Sequence, residues 1–165
     1  MPEIIVIAHN IRSIHNIGSI FRTAEGFGTS KIILSGYSPY PTIPHDTRLP
    51  HIRDKITRQI HKTALGAEIL VPFEYLPEPP LDQLRAEGFQ ILALEQSPRS
   101  VPLQEFRAPA TFALLLGEEV HGIEPNLLAT CDTILEIPMF GQKESFNVSV
   151  ATGIALYQLT TVRVQ

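Results

Sequence analysis

The stretch Ile137-Pro-Met-Phe-Gly141-Gln-Lys-Glu-Ser145-Phe-Asn147-Val-Ser-Val-Ala151 contains the change of pattern from which the fold can be read. Residues 134–137 end a short apolar run, the signature of a strand buried on both faces. Residues 145–162 then take helical spacing, with Ser145 or Asn147 in a position to cap the new helix. A buried strand giving way to a polar loop and a helix is half of a parallel crossover unit, because parallel strands need such connections.

The same alternation continues back along the chain. Residues 3–8 are apolar and β-branched, which predicts a strand, and Ile17, Ile20, Ala24 and Phe27 then line one face of a helix that Asn16 caps and Gly28 ends. Residues 31–34 predict a second strand and residues 36–50, rich in proline and tyrosine, a long loop. A basic helix over 51–62, a strand at 69–73, a helix at 81–86 and a strand at 89–94 follow. The chain continues with a strand at 113–116 that Gly117 stops and a short helix at 125–129. The expected fold class is α/β, a mostly parallel sheet with helices on both faces. Ligands of such sheets bind beyond the carboxyl ends of strands, which directs attention to the residues just after Leu94, Leu116 and Ile137.

The 165 residues, 44% of them hydrophobic, suffice for one domain with a substantial core, so a single domain over 1–165 is expected. No apolar run approaches the roughly 20 residues that cross a bilayer, and the first residues do not follow a signal-peptide layout. The expectation is a cytoplasmic protein without a membrane role. The lone cysteine, Cys131, permits no internal disulfide and has no His/Cys cluster nearby, so no metal is expected. A formal net charge of −4 is not the basic footprint of a typical nucleic-acid binder. However, Arg48, Arg53, Lys55, Arg58 and Lys62, with three histidines, share one segment opposed only by Asp46 and Asp54. That segment is either a local basic face or a solvated helix with ordinary ion pairs.

Three motifs stand out. The first, Asn16-Ile-Gly-Ser-Ile-Phe-Arg22-Thr-Ala, sets an amide, a glycine and an arginine at a helix start. The second, Leu116-Gly117-Glu118-Glu119-Val120-His121-Gly122, is a glycine-bracketed acidic turn after a buried strand. The third is the stretch 137–151. Taken singly, each has an ordinary structural explanation: a cap, a surface arginine, a turn.

In this order and spacing they resemble the SpoU branch of the SPOUT methyltransferases over nearly the whole chain. The resemblance implies a trefoil-knotted α/β fold, a homodimer, and transfer of a methyl group from S-adenosylmethionine to a ribose 2′-hydroxyl of structured RNA rather than DNA. Arg22, Asn16, Glu119, Ser145 and Asn147 match the family's catalytic positions. Gly117, Ile137, Met139 and Phe146 match those that bind S-adenosylmethionine. This chain departs from the pattern at Glu118, often asparagine in the family, and at Phe146, commonly leucine.

The family arginine is sometimes assigned as general base. An arginine has an unperturbed pKa of about 12.5 to 13.8, so neutralising one at pH 7 costs roughly 8 kcal/mol. Clamping a phosphate and orienting the ribose suits a guanidinium better. Asn16 and Asn147 are suited to holding a ribose or bracing Arg22, and Glu119 to accepting from a nucleoside or from a loop amide. His121 reads as an exposed turn residue. The stretch Lys62-Thr-Ala-Leu-Gly-Ala-Glu68 resembles members that modify tRNA, which favours tRNA over rRNA. The alternatives are an rRNA methyltransferase or a non-catalytic RNA-binding or assembly module of the same fold. A dinucleotide-dependent oxidoreductase would carry Gly-x-Gly-x-x-Gly after the first strand, where Ala8 leads into His-Asn-Ile-Arg-Ser instead, and no phosphate-binding Gly-Lys-Ser/Thr loop occurs. Relatives often carry an N-terminal RNA-binding extension, and none is expected here.

Overall fold

The described residues, 3–161 in the computed structural model, form seven strands: β1 (Glu3–His9), β2 (Lys31–Ser35), β3 (Phe73–Leu76), β4 (Gln90–Leu94), β5 (Val101–Pro102), β6 (Thr111–Leu116) and β7 (Thr133–Glu136). All pair in parallel, in the order β3-β2-β1-β6-β4-β7-β5. The helices are α1 (Ile14–Gly26), α2 (Pro50–Ala64), α3 (Ala67–Leu70), α4 (Leu81–Ala86), α5 (Pro125–Ala129) and α6 (Val148–Thr161). None of these is long and apolar enough to cross a membrane.

The apolar runs of the central strands reflect burial on both faces. On one face Ile4, Val6 and Ala8 of β1 join Ile17, Ile20 and Phe21 of α1, Ile60 of α2 and Leu156 and Leu159 of α6 in one core. On the other, Ile5 and Ile7 join Leu81 and Leu84 of α4, with Leu127 and Leu128 of α5 packed alongside. Cys131 belongs to this second layer, where burial pushes its thiol pKa up to about 11. An unreactive structural thiol follows.

α1 and α2 approach so closely that Gly18 has no room for a side chain. A Cβ there would stand 2.0 Å from Thr63 Oγ1 and 2.4 Å from the Ile60 carbonyl oxygen. Gly18→Ala is therefore expected to lower stability by about 1–3 kcal/mol, while Gly26→Ala, with nothing within 4 Å, should be neutral or slightly stabilising. Thermal denaturation of the two variants checks the contrast.

The structure corrects three sequence expectations and adds one strand. Ser13, not Asn16, caps α1, its side chain accepting from the Asn16 amide at 3.2 Å, so Asn16 lies inside the first turn. The last helix begins at Val148 rather than Ser145, capped by Asn147, whose Oδ1 accepts from the amides of Ser149 and Val150 at 2.9 and 3.4 Å; its expected end at Val162 lies outside the described residues. The expected strand at 69–73 is instead an extra helical turn followed by β3 three residues on. Leu65 and Gly66 both take positive φ, and the buried Glu68 carboxylate accepts from the Gly66 amide at 2.9 Å, which restarts a helix at Ala67. β5, only Val101–Pro102, is too short to leave an apolar run in the sequence and was not expected.

The basic segment divides. Arg48 donates to both Asp46 carboxylate oxygens, through Nε at 2.9 Å and Nη2 at 2.6 Å, and to the Tyr40 and Pro41 carbonyls, while lying over the Tyr40 ring. Arg53 donates to the Asp46 carbonyl. These two arginines build the loop before α2. His51, Lys55, Arg58 and Lys62 recur at helical spacing and are all exposed, forming one basic stripe along α2.

Candidate active site

A cleft of about 280 Å³ opens at the carboxyl ends of β4, β6 and β7. Its apolar walls are Leu94, Leu116, Ile137, Met139, Phe146 and Val148. Gly117, Ile137, Met139 and Phe146, the four positions expected to bind the methyl donor, all line it, as do Glu119 and Ser145. Arg22, Asn16 and Asn147 do not.

The turn after β6 shapes one wall. Glu118 and Gly122 exchange backbone hydrogen bonds at 3.1 and 2.8 Å, closing the turn tightly. A Cβ on Gly117 would lie 2.5 Å from Ile123 Cγ1 and 2.6 Å from the Gly122 carbonyl carbon. Glu95, after β4, accepts from the Ile123 amide at 2.9 Å and so ties the turn to the next strand. His121 is exposed, as its sequence position suggested. Glu118 is buried; one oxygen accepts from the His121 amide at 2.7 Å, and the other has no hydrogen bond, with the Arg12 guanidinium 3.6 Å away.

Glu119 points out of the same turn toward α1. It accepts from the Arg12 amide at 3.0 Å, the Ser13 amide at 3.2 Å and Asn16 Nδ2 at 3.2 Å. Of the two partners left open by the sequence, the loop amides are the ones it holds. Burial pulls its pKa upward, but the hydrogen bonds from Arg12, Ser13 and Asn16 together outweigh that, and the carboxyl ends below its usual value. Asn147 Nδ2 donates in turn to Asn16 Oδ1 at 3.2 Å. One residue from each motif thus joins a single chain of donors, Asn147 to Asn16 to Glu119, ending on a carboxylate. Asn147 serves in this chain and as helix cap at once.

Arg22 stands apart. Its side chain is exposed and makes no hydrogen bond or ion pair among the described residues. On α1, Gly18 faces α2 and Thr23 faces Gly153 of α6; at about 100° per residue Arg22 falls on the open ridge between them, off the side that carries Asn16.

Sequence reasoning missed Arg12 and Ser13, whose amides grip Glu119 across 107 and 106 residues. Their signal was weak: Ser13 precedes the helix as a better-placed cap than Asn16. It also missed the acidity of the cleft, lined by Glu95, Glu118, Glu119, Glu136 and Glu144 with no lysine or arginine.

Parallel strands covered on both faces, with a ligand-sized cleft at their carboxyl ends and motif residues converging beside it, define an α/β protein of the kind that binds a small molecule at its sheet edge. The chain belongs to the SpoU rRNA methylase family, whose pattern matches residues 3–157. It is 32% identical over 156 residues to a tRNA (guanosine(18)-2′-O)-methyltransferase of Aquifex aeolicus, covering 94% of this chain and 68% of that one. It is 29% identical to a 23S rRNA (guanosine-2′-O-)-methyltransferase of Coxiella burnetii, over 98% of this chain and 60% of the relative. The crystal structure of an AdoMet-bound rRNA methyltransferase from Sinorhizobium meliloti superposes with a TM-score of 0.78 at 26% identity, covering 94% of this chain and 55% of that chain. The chain therefore spans between about half and two-thirds of these relatives.

Proposed function

We propose that this protein transfers a methyl group from S-adenosylmethionine to a ribose 2′-hydroxyl in structured RNA, with tRNA favoured over rRNA, working in the cytoplasm as a homodimer. The observation that carries this reading is the Asn147–Asn16–Glu119 chain standing beside the cleft that Gly117, Ile137, Met139 and Phe146 line. The donor's chemistry fits the cleft. A ligand bearing a sulfonium and an ammonium suits walls with five glutamates and no lysine or arginine. When bound, S-adenosylmethionine supplies an activated methyl group on sulfur.

The chain's own residues would then do the positioning, which is where much of the catalysis of an in-line transfer resides. Ile137, Met139 and Phe146 exclude water from the donor. The bare backbone at Gly117 allows close approach. Glu119 holds the β1–α1 loop against the cleft, and Asn16 and Asn147 present fixed amides to a ribose. Ser145, exposed on the cleft rim, offers a hydroxyl to the same nucleotide. Arg22 clamps the adjoining phosphate and stabilises negative charge developing on the ribose oxygen.

Two features support the homodimer. Val150, Ile154 and Tyr157 recur at i, i+4 and i+7 on α6 and are 51%, 37% and 61% exposed, an apolar stripe that a second copy would cover. A second copy would also account for Arg22 standing off its own cleft, if each arginine serves its partner's. The trefoil knot that the family resemblance implies belongs to the same proposal, and the contact between the loops after β4 and β7, where Gln96 Nε2 donates to the Glu144 carbonyl at 2.6 Å, supports it. The basic stripe on α2 supports RNA as substrate, since phosphate contacts supply most of the affinity for a polyanion.

The test is incubation with total RNA and methyl-labelled S-adenosylmethionine, followed by mapping of 2′-O-methylated positions. Label in tRNA is expected. Label confined to rRNA would move the substrate to the alternative, and binding of the donor without any transfer to RNA would leave only the non-catalytic module.

A further inference from the structure

Tyr37 is 58% exposed, yet the turn that carries it is held by hydrogen bonds on both sides. Its amide donates to Asn10 Oδ1 at 3.0 Å. The Asn10 amide group donates to His9 Nε2 at 3.2 Å, so His9 holds its proton on Nδ1 and gives it to Ser35 Oγ at 2.9 Å. Burial lowers the pKa of His9, against smaller upward pulls from Glu78 and Glu124, in keeping with a neutral ring. Before Tyr37, Gly36 takes φ +64, and Asn10 Oδ1 fills the place a Cβ would need, 1.8 Å away; its carbonyl accepts from the Tyr75 hydroxyl at 2.8 Å. After it, Ser38 is buried, donating to the Ala8 carbonyl and accepting from the Ile11 amide, both at 2.8 Å. The backbone is locked on both sides while the ring projects outward and has no aromatic partner among the described residues.

The ring also stands in a defined place. Gly36–Tyr37 follows β2, Asn10–Ser13 follows β1 and Gly117–Glu118 follows β6, and these three strands are neighbours. At about 4.8 Å per strand, Tyr37 lies on the order of 10 Å along the edge from the cleft turn, with Arg12 between them. The Arg12 side chain is 66% exposed. Partial desolvation and then the charges of Glu118, Glu119 and Glu124 push the Tyr37 phenol above its usual pKa, against a pull from Arg12, which fits that proximity. Arg12 lies on this flank and the 36–49 loop leads from it to the basic stripe of α2, so a polyanion meets cations here that the cleft walls do not offer.

We infer that Tyr37 is a stacking platform for an unpaired base of the RNA substrate next to the methylated nucleotide, with Arg12 meeting the adjoining phosphate. An exposed ring on a rigid turn loses little freedom when a base stacks on it, and stacking is how proteins hold splayed bases without reading their sequence. The inference rests on RNA being the substrate.

The test compares the wild type with Tyr37→Ala and Tyr37→Phe. Binding to unfractionated tRNA is read by fluorescence anisotropy and donor binding by calorimetry, with methyl transfer followed in parallel. Loss of one stacked base is worth roughly 5- to 150-fold in affinity. Tyr37→Ala should therefore weaken tRNA binding about tenfold and raise the KM for RNA correspondingly, with donor affinity unchanged, whereas Tyr37→Phe should stay within about twofold of wild type. Unchanged tRNA binding in Tyr37→Ala would overturn the platform, and so would an equal loss in Tyr37→Phe. Because anisotropy needs no turnover, a wild type that binds tRNA but transfers no methyl group would refute the proposed reaction while still deciding the role of Tyr37.

Discussion

Replacing Arg22 with alanine is expected to lower methyl transfer by about a hundredfold to a thousandfold, the range for removing a group that stabilises developing charge, while leaving donor binding unchanged. The separation of the two effects follows from geometry. Arg22 is exposed on the α1 ridge and does not line the cleft, so its loss removes no wall. Its exposure also means that the fold should tolerate the change. Arg22→Lys keeps the charge but not the planar fork and should recover little; near-normal turnover in that variant would sink the clamp. Mixing subunits adds a sharper readout. If each arginine serves its partner's cleft, mixed dimers of an Arg22→Ala subunit and a Gly117→Ala subunit contain one complete site, and equal mixing, at a donor concentration too low to fill the Gly117→Ala cleft, should restore about a quarter of wild-type activity. If arginine and cleft act within one chain, no mixed dimer is complete and nothing returns.

Gly117→Ala is the second large effect, of the opposite kind. The added methyl would meet the Gly122 carbonyl carbon and the Ile123 amide nitrogen, both at 2.6 Å. Backbone atoms cannot swing aside as a side chain would, so the turn itself must open. The cost in stability should be about 1–3 kcal/mol, and because the turn is a cleft wall, donor affinity should fall at least about tenfold. Calorimetry with S-adenosylmethionine reads the second effect and denaturation the first. Gly141 supplies the control. It lies in the loop after β7, a Cβ there would have nothing within 4 Å, and Gly141→Ala should bind the donor as the wild type does. Equal affinity in both variants would show that the turn can deform without consequence.

Much of the fold was legible because burial on two faces writes unbroken apolar runs, as in Ile4 to Ala8 and Phe112 to Leu116. Strand order was not, since a parallel strand's neighbours depend on packing across the whole chain. The run Ile69-Leu70-Val71 misled because composition cannot distinguish an apolar strand from a helical turn: Ile69 and Leu70 are 81% and 70% exposed. Asn16 reads as a cap because the helical stripe is strongest from Ile17, although the first turn begins at Ile14. The cleft residues were legible through their motifs, and Glu95 and Gln96 through the rule about strand ends. The grip of Arg12 and Ser13 on Glu119 was hidden, because a side chain's choice between a distant amide and a ligand leaves no local mark.

The strand order also constrains how the protein is made. Among the seven described strands β1 is made before the rest, yet one of its two neighbours, β6, is synthesised after four other strands. Until then the nascent chain holds β1 with an unpaired edge and with apolar side chains that α6, later still, is needed to cover. Asn16 and Asn147, 131 residues apart, meet only after residue 147 has emerged, so a chain terminated before that point would expose sticky sheet and possess no assembled site.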